Sequence, residues 1–126
     1  MDRAAKTLLC IDDHKEAAAG WCLYLQSAGY RVETAFSATE GLQLFATQAI
    51  DLVLLDYCMP DADGAEVAAS MKGMKPDVCI LMFSGVRHVP EGARLHVDAF
   101  LEKGIQPTTV LAKIDELLAE PVKGAA

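Results

Sequence analysis

Leu52-Val-Leu-Leu-Asp-Tyr-Cys-Met-Pro-Asp-Ala-Asp-Gly64 starts as an unbroken apolar run and turns polar at Asp56. A short strand that is apolar on both faces must be covered on both, which is the position of a strand in a parallel sheet closed by crossover helices. Short runs at 6–11, 31–36, 78–83 and 99–102 read the same way, so with 52–55 five strands are expected. Helical periodicity separates them. The first helix, 15–28, sets Ala18, Trp21, Cys22, Leu25 and Ala28 on one stripe, with Trp21 as a core residue and Gly29 as the stop. Ser37 and Glu40 form a capping box opening a second helix with Leu42, Leu44, Phe45 and Ala49 inward. A third helix is expected at 64–74, with Val67, Ala68 and Met71 inward. The last helix opens at Pro107-Thr108, buries Val110, Leu111, Ile114, Leu117 and Leu118, and stops before Pro121.

The expected architecture is therefore α/β: a five-stranded parallel sheet in the order 2-1-3-4-5, with helices on both faces, as in flavodoxin-like folds. A chain of 126 residues at 52% apolar composition suits one domain, assigned to 1–120, with 121–126 as a short tail and no output domain. The balance of 11 Lys+Arg against 18 Asp+Glu gives a charge of -7, which argues against direct DNA binding. The apolar runs are too short to cross a membrane and the N-terminus is no secretory leader, so a cytoplasmic protein without membrane insertion is expected. Cys10, Cys22, Cys58 and Cys79 show no metal-ligand spacing and read as reduced thiols, three of them in apolar surroundings.

Ligands of an open parallel sheet bind beyond the carboxyl ends of its strands. There the sequence places Asp12-Asp13, Asp56, Ser84 and Lys103. Three carboxylates brought together repel unless a cation is present, and a hard ion such as Mg²⁺ takes oxygen ligands beside a substrate phosphate. An aspartate can act as nucleophile toward a phosphoryl group, with Lys103 and Ser84 supplying charge and a hydrogen bond to its oxygens.

These residues resemble the receiver domains of two-component response regulators over nearly the whole chain. LLCIDDH is similar to the family's first strand and acidic pair, and D-Y-C-M-P-D-A-D-G matches its acceptor loop, D-x-x-M-P-x-x-x-G. The resemblance implies Asp56 as phosphoacceptor and Asp12, Asp13, Asp56 and the backbone carbonyl of Cys58 as Mg²⁺ ligands. It further implies Ser84 and Phe100 as the switch pair and Lys103 as the invariant lysine. The implied role is a phosphorelay signalling domain, not an enzyme. Its phosphodonor would be a histidine kinase, a histidine phosphotransfer protein or a small phosphodonor, and it would signal to a downstream protein that the sequence does not name. A dehalogenase-type phosphatase would need its nucleophile in D-x-D after strand 1, where this chain has D-D-H. A flavin module would need a Ser/Thr/Gly-rich loop there, and a degenerate receiver would not retain Asp13, Asp56, Ser84 and Lys103 together.

The chain departs from the pattern in three places. Lys103 precedes Gly104 rather than proline, so the turn takes another route than a cis bond, which without proline costs about 2.5–4 kcal/mol. Phe100 lacks a hydroxyl, so switching there is steric. Pro90 and Gly92 fall where a fourth helix is expected, which predicts a short, displaced or irregular helix within 86–97, starting near Pro90. His14 is expected to face solvent at the start of the first helix, and His88 and His96 are not expected to be ligands.

Overall fold

The structure is a computed structural model of the chain that describes residues 2–85 and 91–119. Its elements are β1 (Thr7–Ile11), α1 (Lys15–Ser27), β2 (Arg31–Ala35), α2 (Ala38–Thr47), β3 (Leu52–Asp56), β4 (Cys58–Met59), β5 (Ala62–Asp63), α3 (Gly64–Met74), β6 (Cys79–Ser84), β7 (Ala99–Glu102) and α4 (Pro107–Leu118). The main sheet has five strands, all parallel, in the order β2-β1-β3-β6-β7. With the antiparallel ribbon β4-β5 set aside, this is the expected 2-1-3-4-5.

Period-two alternation assigns the strands to two cores. Leu8, Cys10, Leu52, Leu54, Leu81 and Phe83 face α1 and α4, where they meet Leu25, Val110, Ile114 and Leu118. Leu9, Ile11, Val53, Leu55, Ile80 and Met82 face α2 and α3, where they meet Phe45, Val67, Ala68 and Met71. Each large side chain so enclosed contributes about 1.5–3 kcal/mol.

The helix signals act as expected. Ser37 Oγ accepts from the Glu40 N–H at 3.1 Å while Glu40 Oε1 accepts from the Phe36 N–H at 2.8 Å, closing the capping box. Asp63 caps α3, accepting from the Ala65 N–H at 2.7 Å. Gly29, at φ 109°, follows the end of α1. Four details differ. Phe36 falls outside β2 and is exposed, because the chain has already turned toward the cap of α2. Ala49 is likewise exposed beyond the end of α2, its inward place being taken by Ile50. Ala28 caps α1 rather than continuing it. Trp21 is only half-buried, its ring stacked on Phe83 with centroids 5.4 Å apart.

Between β6 and β7 the described part of the expected fourth helix is one 3-10 turn, Glu91–Arg94, with Ala93 buried. Gly92 favours neither an α-helix nor its continuation. His88 and Pro90 lie outside the described residues, as does the tail from 120 onward. His96 is exposed. No described helix is long and apolar enough to cross a membrane.

Candidate functional site at the carboxyl edge of the sheet

Register brings the predicted residues to one edge. Ile11 pairs with Leu55, Asp56 with Phe83, and Ser84 with Glu102, so the last residues of β3 and β6 converge with the residues just after β1 and β7. Asp56 is the last residue of β3 and only 3% exposed. Its Oδ2 accepts from Lys103 Nζ at 2.9 Å, and its Oδ1 accepts from the Cys58 N–H at 3.3 Å. Burial raises the Asp56 pKa above the ordinary carboxylate value, and Lys103 offsets only part of that. Burial also works against the Lys103 ammonium, but its hydrogen bond to Asp56 and the attraction of Asp56, Asp12 and Asp13 prevail and raise its pKa.

Asp12, Asp13, His14 and Asp56 can each direct a ligand atom so that all lie within 4.8 Å of one another. Asp13 Oδ1 is buried and accepts no hydrogen bond, a costly state for a carboxylate oxygen. A cluster of oxygens with one unsatisfied and buried fits a hard cation. His14 qualifies the expectation of a purely solvent-facing residue. It is exposed, yet its Nδ1 lies 3.4 Å from both Asp12 Oδ1 and Asp13 Oδ1.

Gly104 settles the turn after β7. Its φ is +97°, and the described residues contain no cis peptide bond. The left-handed conformation, which glycine adopts without steric cost, replaces the proline route and still delivers Lys103 to Asp56. Ser84 is buried at the end of β6, and its carbonyl accepts from the Lys103 N–H at 2.9 Å. Phe100, half-buried on β7, packs against the α2–α3 core, and the Arg94 guanidinium lies 4.4 Å from its ring centroid. Cys58 is exposed on the acceptor loop, whereas Cys10 is buried with its thiol pKa pushed up by desolvation.

Two features of the loop from Asp56 to Gly64 were not foreseen from sequence. Asp61 reaches α2, its carboxylate accepting from the N–H groups of Ala38 and Thr39, both at 3.1 Å. Those bonds hold its pKa below the usual value. Gly64 is pressed onto the loop's own start: a Cβ there would stand 2.8 Å from Tyr57 Cα and 3.1 Å from the Asp56 carbonyl oxygen. Asp61 offered no periodic signal. Gly64 was visible as a fixed motif position without its reason.

Comparison with known proteins follows this geometry. Residues 8–115 match the model of the response regulator receiver domain. A probable transcriptional regulator, ycf27 of Cyanidium caldarium, is 32% identical over 114 residues, which is 88% of this chain and 45% of that protein. The chain spans about half the length, or less, of the first curated relatives it matches. Among solved structures, the response regulator TrrA of Thermotoga maritima in complex with Mg²⁺-BeF is similar at TM-score 0.85 and 29% identity, covering 90% of this chain and 99% of that one. The same regulator in complex with the histidine kinase ThkA is similar at TM-score 0.83, with 29% identity and the same coverage.

Proposed function

We propose, for a chain that belongs to the response regulator receiver domain family, that Asp56 accepts a phosphoryl group in a Mg²⁺-dependent reaction and passes the change to a protein partner. The observation that carries this reading is the buried Asp56 carboxylate, held at 2.9 Å by Lys103 Nζ and within 4.8 Å of the Asp12 and Asp13 ligand atoms.

Asp12, Asp13, Asp56 and the Cys58 carbonyl would hold Mg²⁺, which when bound neutralises the carboxylates and draws charge from the transferring oxygens. The fit rests on the orphaned Asp13 Oδ1 and on the all-oxygen character of the three side chains. An Asp56 oxygen forms the new bond to phosphorus as the bond to the donor breaks, its electron pair leaving with the donor. The product is an acyl phosphate. Lys103, already committed to Asp56, is positioned to follow charge onto the phosphoryl oxygens, and the Ser84 hydroxyl to donate to one of them. Ser84 and Phe100 form the switch. Because Phe100 has no hydroxyl, its part is a change of packing, and Arg94 on its ring moves with it.

The donor is a histidine kinase, a histidine phosphotransfer protein or a small acyl phosphate. Support for the first is TrrA in complex with a histidine kinase, and support for the metal is TrrA with Mg²⁺-BeF. The chain acts in the cytoplasm as a stoichiometric acceptor rather than a turnover enzyme, and the charge of -7 directs its output to a protein instead of DNA. Incubation with Mg²⁺ and acetyl phosphate, read by mass spectrometry, should give one labile adduct that Asp56→Ala abolishes. An adduct persisting in Asp56→Ala, or none in the wild type, would remove the assignment.

A further inference from the structure

Beneath the acceptor edge, on the α1–α4 side of the sheet, lies a cavity of about 180 Å³ that shares Asp12, Asp56 and Lys103 with the acceptor site and whose apolar part phosphoryl transfer does not use. Its floor is Cys10, Leu54 and Phe83, and one wall is Trp21. It stays open because the residues over it are short: α1 presents Ala17 and Ala18, and the turn after β7 presents Gly104. Ala17 and Gly104 are exposed and mark its mouth. Apolar cavities of about 150 Å³ hold a benzene-sized molecule. The stacked Trp21 and Phe83 rings offer an aromatic wall.

The charged groups in the lining are Asp12, Asp56 and Lys103. Lys103 is committed to Asp56 at 2.9 Å and Asp12 Oδ1 accepts from the His14 N–H at 2.9 Å, which leaves Asp12 Oδ2 to meet an incoming charge. With Asp13 beside it, the mouth carries three carboxylates against one ammonium, so it favours a cation and disfavours an anion. We infer that this cavity binds a small molecule with a single aromatic ring and a short ammonium arm, the ring against Trp21 and the ammonium at Asp12. The inference stands whether or not Asp56 accepts a phosphoryl group.

The test titrates the metal-free protein with phenethylamine, following Trp21 fluorescence and, independently, calorimetry. Expected is saturable one-to-one binding with Kd of roughly 0.1–1 mM, a range suited to a ligand of this size. The neutral ethylbenzene and the anionic phenylacetate should each bind at least about tenfold more weakly, the loss of one charge-assisted contact. Ala17→Leu places a larger side chain at the mouth and should abolish binding, while Ala19→Leu, on the exposed face of α1, should bind as the wild type does. Circular dichroism melts confirm that both variants fold, and a second blocking variant, Ala17→Met, serves if the first does not. Mg²⁺ should weaken phenethylamine binding by competing for Asp12. No saturation at about 10 mM, undiminished binding in the folded blocking variant, or phenylacetate binding as tightly as phenethylamine would each overturn the inference.

Discussion

Gly64→Ala should damage both the fold and the site, for a reason that can be followed contact by contact. A Cβ at Gly64 would meet Tyr57 Cα at 2.8 Å, the Tyr57 carbonyl oxygen at 3.0 Å and the Asp56 carbonyl oxygen at 3.1 Å. Carbon contacts settle near 3.5–4.0 Å, so the loop must retreat by roughly 0.7 Å, and the opposing atoms are backbone that cannot rotate away. Overpacking of this kind costs about 1–3 kcal/mol. The retreat also loosens the hydrogen bond from the Gly64 N–H to the Tyr57 carbonyl, 3.0 Å long and worth about 0.5–1.5 kcal/mol. Alanine returns about 0.4–1 kcal/mol by restricting the unfolded chain. The net loss is about 0.5–4 kcal/mol, or roughly 6–12 °C in Tm at about 2 kcal/mol. Gly20→Ala is the matched control. It sits inside α1 with nothing within 4 Å of its would-be Cβ, so the same exchange should stabilise by about 0.5–1 kcal/mol. Thermal melts by circular dichroism read the stability, and a Mg²⁺-beryllofluoride titration followed by Trp21 fluorescence reads the site, which should bind more weakly in Gly64→Ala because the displaced residues are Asp56 and Tyr57. A Gly64→Ala protein that melts and titrates like the wild type would refute the reasoning, as would equal destabilisation in Gly20→Ala.

The raised pKa of Asp56 means that its contribution to stability is present below the unfolded carboxylate value and is lost as pH rises through the folded one. Asp56→Asn should therefore melt higher than the wild type in metal-free buffer at pH 7, with the gap closing toward pH 3. Mg²⁺ should raise the wild-type Tm and leave that of Asp56→Asn nearly unmoved; equal response of both would discard the site. Asp115 has the opposite sign. The Arg3 guanidinium, bonded to it at 3.1 and 2.5 Å, holds its pKa low, with help from the Tyr30 hydroxyl at 2.5 Å. Its stabilisation is present above the unfolded carboxylate pKa of about 3.9 and disappears as pH falls through the lower folded value, so Asp115→Asn should melt below the wild type at pH 6, with the gap narrowing as pH falls below about 3.9. Asp61→Ala should reduce hydrogen-exchange protection of the Ala38 and Thr39 amides and weaken Mg²⁺ binding, and unchanged protection would show that the carboxylate does not brace the loop.

The sheet, and the edge at which the candidate residues gather, were legible because both follow from periodicity and from what closes an apolar strand. Leu52 to Leu55 could be satisfied only between helices, and the strand-end residues then had one edge on which to meet. Lys103 lies beside Asp56 even though Gly104 stands where the motif has proline, since a positive φ reaches the same place. What was not legible depends on contacts between segments remote in sequence or on chain direction beyond a strand. Asp61 lies 23 residues from Ala38, and nothing in its neighbours announces the partner. Trp21 kept the helical spacing of a core residue yet lies only half-buried over Phe83, because spacing assigns a face but not the depth of the cleft beneath it. The short turn Glu91–Arg94, in place of a regular helix over those residues, was announced by Gly92, whose cost in a helix is local.

The loop after Asp56 gives Asp61 to the leading amides of α2 and, two residues on, Asp63 to those of α3. One short stretch of chain is thus the common mooring of two helices, and each helix end, with its partial positive charge, steadies the acids that moor it. A force applied at Asp56 meets a stiff abutment on that side. Under the proposed reaction, a displacement at Asp56 would therefore pass the other way, along β6 and β7 toward Phe100 and the turn that carries Arg94.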